Sequence, residues 1–190
     1  MSAPEPSLPD KVDALARVLG ASEVPFAFGG ALALAYYAEP RATVDVDVNV
    51  FVPPDAVDRI AEVLRSLGIR TSAADKRLVL RDGQVRLHWG VTPVDLFFAY
   101  DPFHYHAAQR VRRVPFGAET IPVLAPEDLL VCKVVFNRRK DWIDIEQMLL
   151  LTAGALDLDD VRRWIVAIVG TADDRNDRFE RAVREVLGDS

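Results

Sequence analysis

The chain has 190 residues, half of them hydrophobic, and a formal charge of −6 from 29 acidic and 23 basic residues. That length can bury one substantial core, so the expectation is one domain or a compact two-lobed unit. The acidic balance argues for solubility and against a strongly basic nucleic-acid wrapper, while leaving room for a local basic patch.

Residues 1–7 are polar and Pro-bearing and are expected to fray. This start lacks the basic flank and apolar stretch of a signal peptide. Ser7 or Asp10 can cap a first helix whose apolar stripe is Val12, Leu15, Ala16, Val18 and Leu19, ending at Gly20. Pro25 to Phe28 reads as a short buried strand running into Gly29-Gly30, and Ala31 to Ala38 as a helix that stops before Pro40. Thr43 to Val52 is the clearest strand; Pro53-Pro54 breaks it, and an amphipathic helix follows from Asp55 to Leu67, closed by Gly68.

Arg77–Arg81 and Val85–Trp89 read as a hairpin around Asp82-Gly83. Pro93 to Ala99 and Thr120 to Val123 are further strands, and beyond them the pattern is helical over roughly 126–139, 141–153, 158–169 and 172–187. The single cysteine, Cys132, lies in the apolar run Leu129-Leu130-Val131-Cys132, so no internal disulfide is available and no Cys/His cluster has zinc spacing. No apolar run approaches the ~20 residues that span a bilayer. The expectation is a cytoplasmic protein with no membrane association and an α+β fold. A mixed lobe over 1–125 is followed by a helical lobe over 126–190.

The chemistry is concentrated in Thr43-Val44-Asp45-Val46-Asp47-Val48-Asn49-Val50. Strand side chains alternate faces, so Thr43, Asp45, Asp47 and Asn49 share one side and the four valines the other. Two aspartates ~6.6–6.8 Å apart along one strand repel unless a cation lies between them. Oxygen-only ligands suit Mg2+ or Mn2+. The plain alternative is a half-exposed strand with a polar outer face. Asp95, in the apolar segment Val94-Asp95-Leu96-Phe97-Phe98, is costly to bury unless it is paired or metal-bound. In register with the first strand it would bring a third carboxylate to a metal site; otherwise an arginine such as Arg41 would pair with it. Gly29-Gly30 leaves backbone N–H groups open to a phosphate, although a plain strand-to-helix corner would use the same residues. There is no Walker lysine and no G-x-G-x-x-G.

Gly29-Gly30, fourteen residues, then Asp45-x-Asp47, with Asp95 on a later strand, resembles the polymerase-β-type nucleotidyltransferases. Phe28 to Leu34, Arg41-x-Thr43-x-Asp45-x-Asp47, Pro126-Glu127-Asp128-Leu129-Leu130-x-x-Lys133 and Arg139-x-Asp141-x-x-Asp144 resemble the AbiEii/MenT-type toxin branch. The resemblance implies a minimal nucleotidyltransferase fold: a small mixed sheet flanked by helices, with a helical C-terminal lobe. It also implies transfer of a nucleotide, a pyrimidine in several members, from an NTP to the 3′ end of tRNA, and pairing with a cognate antitoxin. By position, Asp45 and Asp47 would hold the metal, with Thr43 the hydroxyl residue beside them and Lys133 the phosphate contact. Asp144 or Asp141 would be the downstream acid. Many polymerase-β-type enzymes have Gly-Ser where this chain has Gly29-Gly30, and the AbiEii/MenT branch does not use a third carboxylate such as Asp95 uniformly.

If one helix ran through residues 133–144, Lys133, Asn137, Lys140 and Asp144 would share one polar edge, within about sixty degrees. Lys133 could equally lay its stem on the core and reach for solvent. Arg110, Arg112 and Arg113, and Arg138, Arg139 and Lys140, are candidate RNA phosphate contacts or simply solvated faces. His104-x-His106, beside Phe103 and Tyr105, is a poor zinc site and reads as packing. Two other readings stay open: a nucleotidyltransferase acting on an antibiotic or protein hydroxyl, and an inactive nucleotide- or partner-binding relative.

Overall fold

Short segments rich in valine and phenylalanine assemble into a six-stranded sheet. In chain order the strands are β1 (Phe26–Phe28), β2 (Val46–Val50), β3 (Gln84–Trp89), β4 (Thr92–Phe98), β5 (Arg112–Phe116) and β6 (Glu119–Val123), arranged β3-β4-β2-β1-β6-β5. The structure is a computed structural model and describes residues 5–152 and 154–188. The expected fraying of residues 1–4 and the last residue of the helix expected over 141–153 lie outside these. β2 runs parallel to β4, and β1 parallel to β6; the other neighbouring strands are antiparallel. The sheet is thus mixed, and together with the helices below it gives the expected α+β class.

Two compact units make up the chain: Met1–Leu32 with Ala42–Val123, and Ala33–Arg41 with Leu124–Ser190. In the first unit the sheet's core face carries Val46, Val48 and Val50 of β2 in register with Val94, Leu96 and Phe98 of β4. Val85 and Leu87 of β3 continue the same rows, and all eight side chains are buried. Helix α1 (Leu8–Ala21) presents Val12, Leu15 and Leu19 to the interior, and Ser7 rather than Asp10 caps it, in a capping box with Asp10. Residues 5–7 are held, not frayed: Glu5 accepts from the buried Lys11 ammonium at 2.5 Å and from the Val91 N–H at 3.0 Å.

Helix α2 (Gly30–Leu34) is shorter than the helix expected over Ala31–Ala38, which passes into a turn after Leu34. Helix α3 (Val57–Arg65) follows a 3-10 turn at Pro54–Ala56, as the Pro-Pro break foretells. The segment expected to be the first arm of a hairpin is instead helix α4 (Ala73–Asp82). Ser72 and Asp75 form its capping box, and Gly83 ends it in the left-handed conformation at φ 68°. The true hairpin joins β3 to β4 through Gly90-Val91, with glycine (φ 60°) at the first central position as a type II′ turn requires. Helix α5 (Pro102–Arg110), capped by Asp101, and edge strand β5 have no counterpart among the expected elements.

The second unit is helical: α6 (Pro126–Phe136), α7 (Arg139–Leu151), α8 (Leu158–Val169) and α9 (Asp174–Leu187). It also takes in Ala33–Arg41, an excursion that a single cut near residue 125 does not anticipate. The Tyr37 hydroxyl ties this excursion to the Leu124 carbonyl at 2.9 Å. Among the described residues no helix is long and apolar enough to cross a membrane.

Candidate active site

The carboxylate strand is shorter than the alternation suggests. Only Val46–Val50 joins the ladder; Thr43, Val44 and Asp45 lead into it, and Val44 is 76 % exposed rather than part of the valine face. Asn49 is buried, not on an open polar face. Off the strand, Thr43 still organises Asp45: its hydroxyl donates to the Asp45 carboxylate and accepts from the Asp45 N–H at 3.4 Å.

Asp47 is held on both its backbone and its side chain. Its carbonyl accepts from the Gly29 N–H at 2.9 Å, which fixes the end of β1 against β2. Gly30 has φ +52°, and a Cβ there would fall 2.5 Å from Cγ of Asp47. Glycine at 30 is therefore what lets the Asp47 carboxylate pack against the chain. Across the sheet Asp47 is in register with Asp95, and Asp95 with Arg86 of β3, all on the face opposite the valines.

Asp95 does pair with an arginine, but Arg86 rather than Arg41. Arg86 donates from Nε to Oδ1 at 2.7 Å and from Nη2 to Oδ2 at 2.6 Å, and its Nη2 stands 3.8 Å from Oδ2 of Asp45. The hydrogen-bonded Asp95 carboxylate, and then its charge, raises the Arg86 pKa above its ordinary value; Asp45 and Asp47 add to this while burial opposes it. Among the described residues no group of three or more His, Cys, Asp or Glu side chains is placed to hold a metal ion. The third expected carboxylate, Asp95, has both oxygens engaged by Arg86. What Asp45 and Asp47 offer is an all-oxygen pair. With Asp95 and Arg86 the four formal charges sum to −2, equal and opposite to a divalent cation, so the residues fit such an ion.

In the second unit Lys133 and Asp144 meet at 2.6 Å with side chains 4 % and 3 % exposed. They do so although no single helix carries them: Asn137, left-handed at φ 54°, breaks the segment between α6 and α7. The shared edge of Lys133, Asn137, Lys140 and Asp144 does not exist, and the Lys133–Asp144 pair bridges two helices instead. Asn137 accepts from Trp142 Nε1 at 2.7 Å, so its side chain holds the turn. Arg41 adds Nε and Nη2 to the two Asp144 oxygens, each at 3.2 Å. Asp141, fully buried, is occupied differently, accepting from the Arg138 N–H and guanidinium at the start of α7.

In the basic clusters some side chains have close partners, while Arg139 and Lys140 are exposed at the start of α7. Arg110 contacts the His106 ring at 3.0 Å, while Arg112 and Arg113 are consecutive on β5 and project to opposite faces. Arg138 folds onto Asp141, its guanidinium 4.9 Å from the Phe136 ring. His104 packs against the rings of Tyr100 and Phe103, with its Nδ1 buried and without a hydrogen-bond partner. Arg86 escaped the sequence reading because its signal, a polar residue alternating with Val85 and Leu87, is that of any exposed strand position. Only the ladder register puts it beside Asp95.

This mixed sheet with a following set of helices is the fold of nucleotidyltransferases of known structure. The chain is similar to the antibiotic-resistance factor ANT(2″)-Ia, at 15% identity and a TM-score of 0.56, covering 93% of this chain and 98% of that one. It is also similar to an antigenic nucleotidyltransferase-like protein from Paracoccidioides brasiliensis (18% identity, TM-score 0.52, 100% and 99% covered). The lincosamide antibiotic adenylyltransferase LnuA is a third (11% identity, TM-score 0.52, 75% and 97% covered). No curated protein sequence matches the chain. Over residues 13–189 the sequence matches the family described as nucleotidyl transferase AbiEii toxin, type IV TA system; the chain belongs to this family, and is a nucleotidyltransferase toxin.

Proposed function

We propose that the protein transfers a nucleoside monophosphate, a pyrimidine, from an NTP to the 3′-hydroxyl of tRNA, releasing pyrophosphate and halting translation until a cognate antitoxin intervenes. The observation that carries the reading is that Asp45 and Asp47 lie at the start of β2, with Gly30, which has no side chain, beside the Asp47 carboxylate. A divalent cation, Mg2+ or Mn2+, would be held by Asp45 and Asp47 and would supply charge neutralisation at the transferred phosphate. Thr43 holds the Asp45 carboxylate in one orientation through their hydrogen bond. Gly29 and Gly30 carry no side chain of their own, and the Asp47 carboxylate packs directly against Gly30.

Lys133 is the proposed phosphate contact, a compact charge suited to the nucleotide's phosphate chain. Asp144 orients its ammonium, and the direct bond from Lys133 at 2.6 Å favours Asp144 for this role over Asp141, whose oxygens are taken by Arg138. The test is incubation of the enzyme and its D45A variant with tRNA, Mg2+ and each labelled NTP in turn. Label on the tRNA 3′ end from CTP or UTP with the parent enzyme, and none with D45A, is expected. Persistent labelling by D45A would remove this strand from the mechanism.

A second reading keeps the chemistry and changes the acceptor to the hydroxyl of an antibiotic. One structure of the similar factor ANT(2″)-Ia contains adenylyl-2″-tobramycin, and LnuA is a lincosamide adenylyltransferase, so this acceptor class belongs in the same assay. Label appearing on an aminoglycoside or lincosamide, with none on tRNA, would favour it.

A further inference from the structure

The Asp45–Asp47 edge carries a cation of its own. Arg86 lies opposite Asp95 across the β3–β4 ladder and engages both carboxylate oxygens, at 2.7 and 2.6 Å. The Asp95 side chain is only 15 % exposed, so turning toward a metal would break two charge-assisted hydrogen bonds with little water to replace them. Arg86 itself is 56 % exposed at its side chain. A guanidinium has five N–H donors in one rigid plane. Two of them bind Asp95, and among the described residues Nη1 has no hydrogen-bond partner. The remaining N–H donors lie on Nη1 and Nη2, with the fork held by Asp95 and Nη2 3.8 Å from Oδ2 of Asp45.

We infer that Asp95 is a positioning residue, not a metal ligand, and that it holds Arg86 as a further nucleotide-contacting residue whose free edge binds the phosphate chain of the NTP. The inference rests on the reading of Asp45 and Asp47 as the nucleotide-transfer site. An ordinary surface ion pair needs neither a bidentate grip nor register beside the Asp47 carboxylate. A planar fork with a vacant edge is the geometry that recognises a phosphate, and a lysine does not reproduce it.

The experiment compares the parent enzyme with D45N, D95N, R86Q, R86K and the double variant R86Q/D95N, each checked for folding by circular dichroism and melting. Mn2+ is titrated by electron paramagnetic resonance in the presence of whichever α,β-methylene NTP the parent binds best, and KM and kcat for NTP are measured separately. D95N and R86Q are expected to keep Mn2+ affinity within about threefold while raising KM for NTP by about ten- to a hundredfold, the loss of a charge-assisted hydrogen bond. The double variant is expected to be no worse than R86Q, and R86K to recover little of the lost affinity. Loss of Mn2+ binding in D95N to the same degree as in D45N would make Asp95 a ligand and overturn the inference. An unchanged KM in R86Q would also overturn it. If D45N itself keeps both Mn2+ binding and transfer, the reading of the Asp45–Asp47 edge fails, whatever Arg86 does.

Discussion

Replacing Gly30 by alanine tests the packing that places Asp47. The backbone there has φ +52°, and an added Cβ would stand 2.5 Å from Cγ and 3.0 Å from Cβ of Asp47. A non-glycine residue in the left-handed region costs about 1–2 kcal/mol, and forcing Asp47 off its rotamer adds about 0.5–1.5 kcal/mol. The sum, about 1.5–3.5 kcal/mol, corresponds to a fall in Tm of roughly 3–14 °C for a chain of this size. Because relief comes by turning the Asp47 carboxylate, transfer activity should fall further than stability. Gly20→Ala is the control. Gly20 lies inside α1, has nothing within 4 Å of its would-be Cβ and carries no strained φ. There alanine should stabilise by up to about 1 kcal/mol through helix propensity. Urea denaturation of both variants and NTP labelling at matched folded fraction decide the matter. A G30A protein with the stability and labelling of the parent would refute the argument.

Other substitutions probe the remaining polar contacts. D144A leaves the Lys133 ammonium buried beside Arg41 and should cost about 3–5 kcal/mol in denaturant unfolding, with the added change K133M recovering part of the loss. K11M removes the donor to the Trp89 carbonyl and the Thr92 hydroxyl, and unfolding should detect a loss of about 1–3 kcal/mol. Burial, more than the nearby Asp101 offsets, holds the His104 pKa below 6.5. As pH falls from 6.5 toward that lower value the unfolded chain takes up the proton first, so stability declines through this window and is unaffected above it. H104Q should flatten the slope of stability against pH between 7 and 5, and an unchanged slope would show that another group sets it.

β4 buries every second residue from Thr92 to Phe98, and α1 and α3 bury theirs at helical spacing, as the sequence implies. β2 departs from its alternation: Val44 lies off the strand and Asn49 is buried between Val48 and Val50. Arg77 to Arg81 misled because Arg-Leu-Val-Leu-Arg fits a strand as well as a helix. The deciding signal was the Ser72–Asp75 capping box outside the window. Lys133 and Asp144 lie on separate helices, as the expected break near residue 140 implies, but nothing local marks Asn137 as the residue that makes it. Its left-handed backbone is held by a hydrogen bond from Trp142, five residues on.

By itself the sequence determined the residue types that the chemistry requires: two aspartates two residues apart, a glycine pair upstream, and a lysine and an aspartate in the helical part. Those are properties of composition and local spacing. Tertiary structure alone decided which charges meet. The β3–β4 register gave Asp95 to Arg86, and the turn at Asn137 brought Asp144 to Lys133 while leaving Asp141 to cap a helix. Carboxylates and cations attract over distances set by the folded path of the chain, so partners nine, eleven or a hundred and three residues apart cannot be ranked from their spacing.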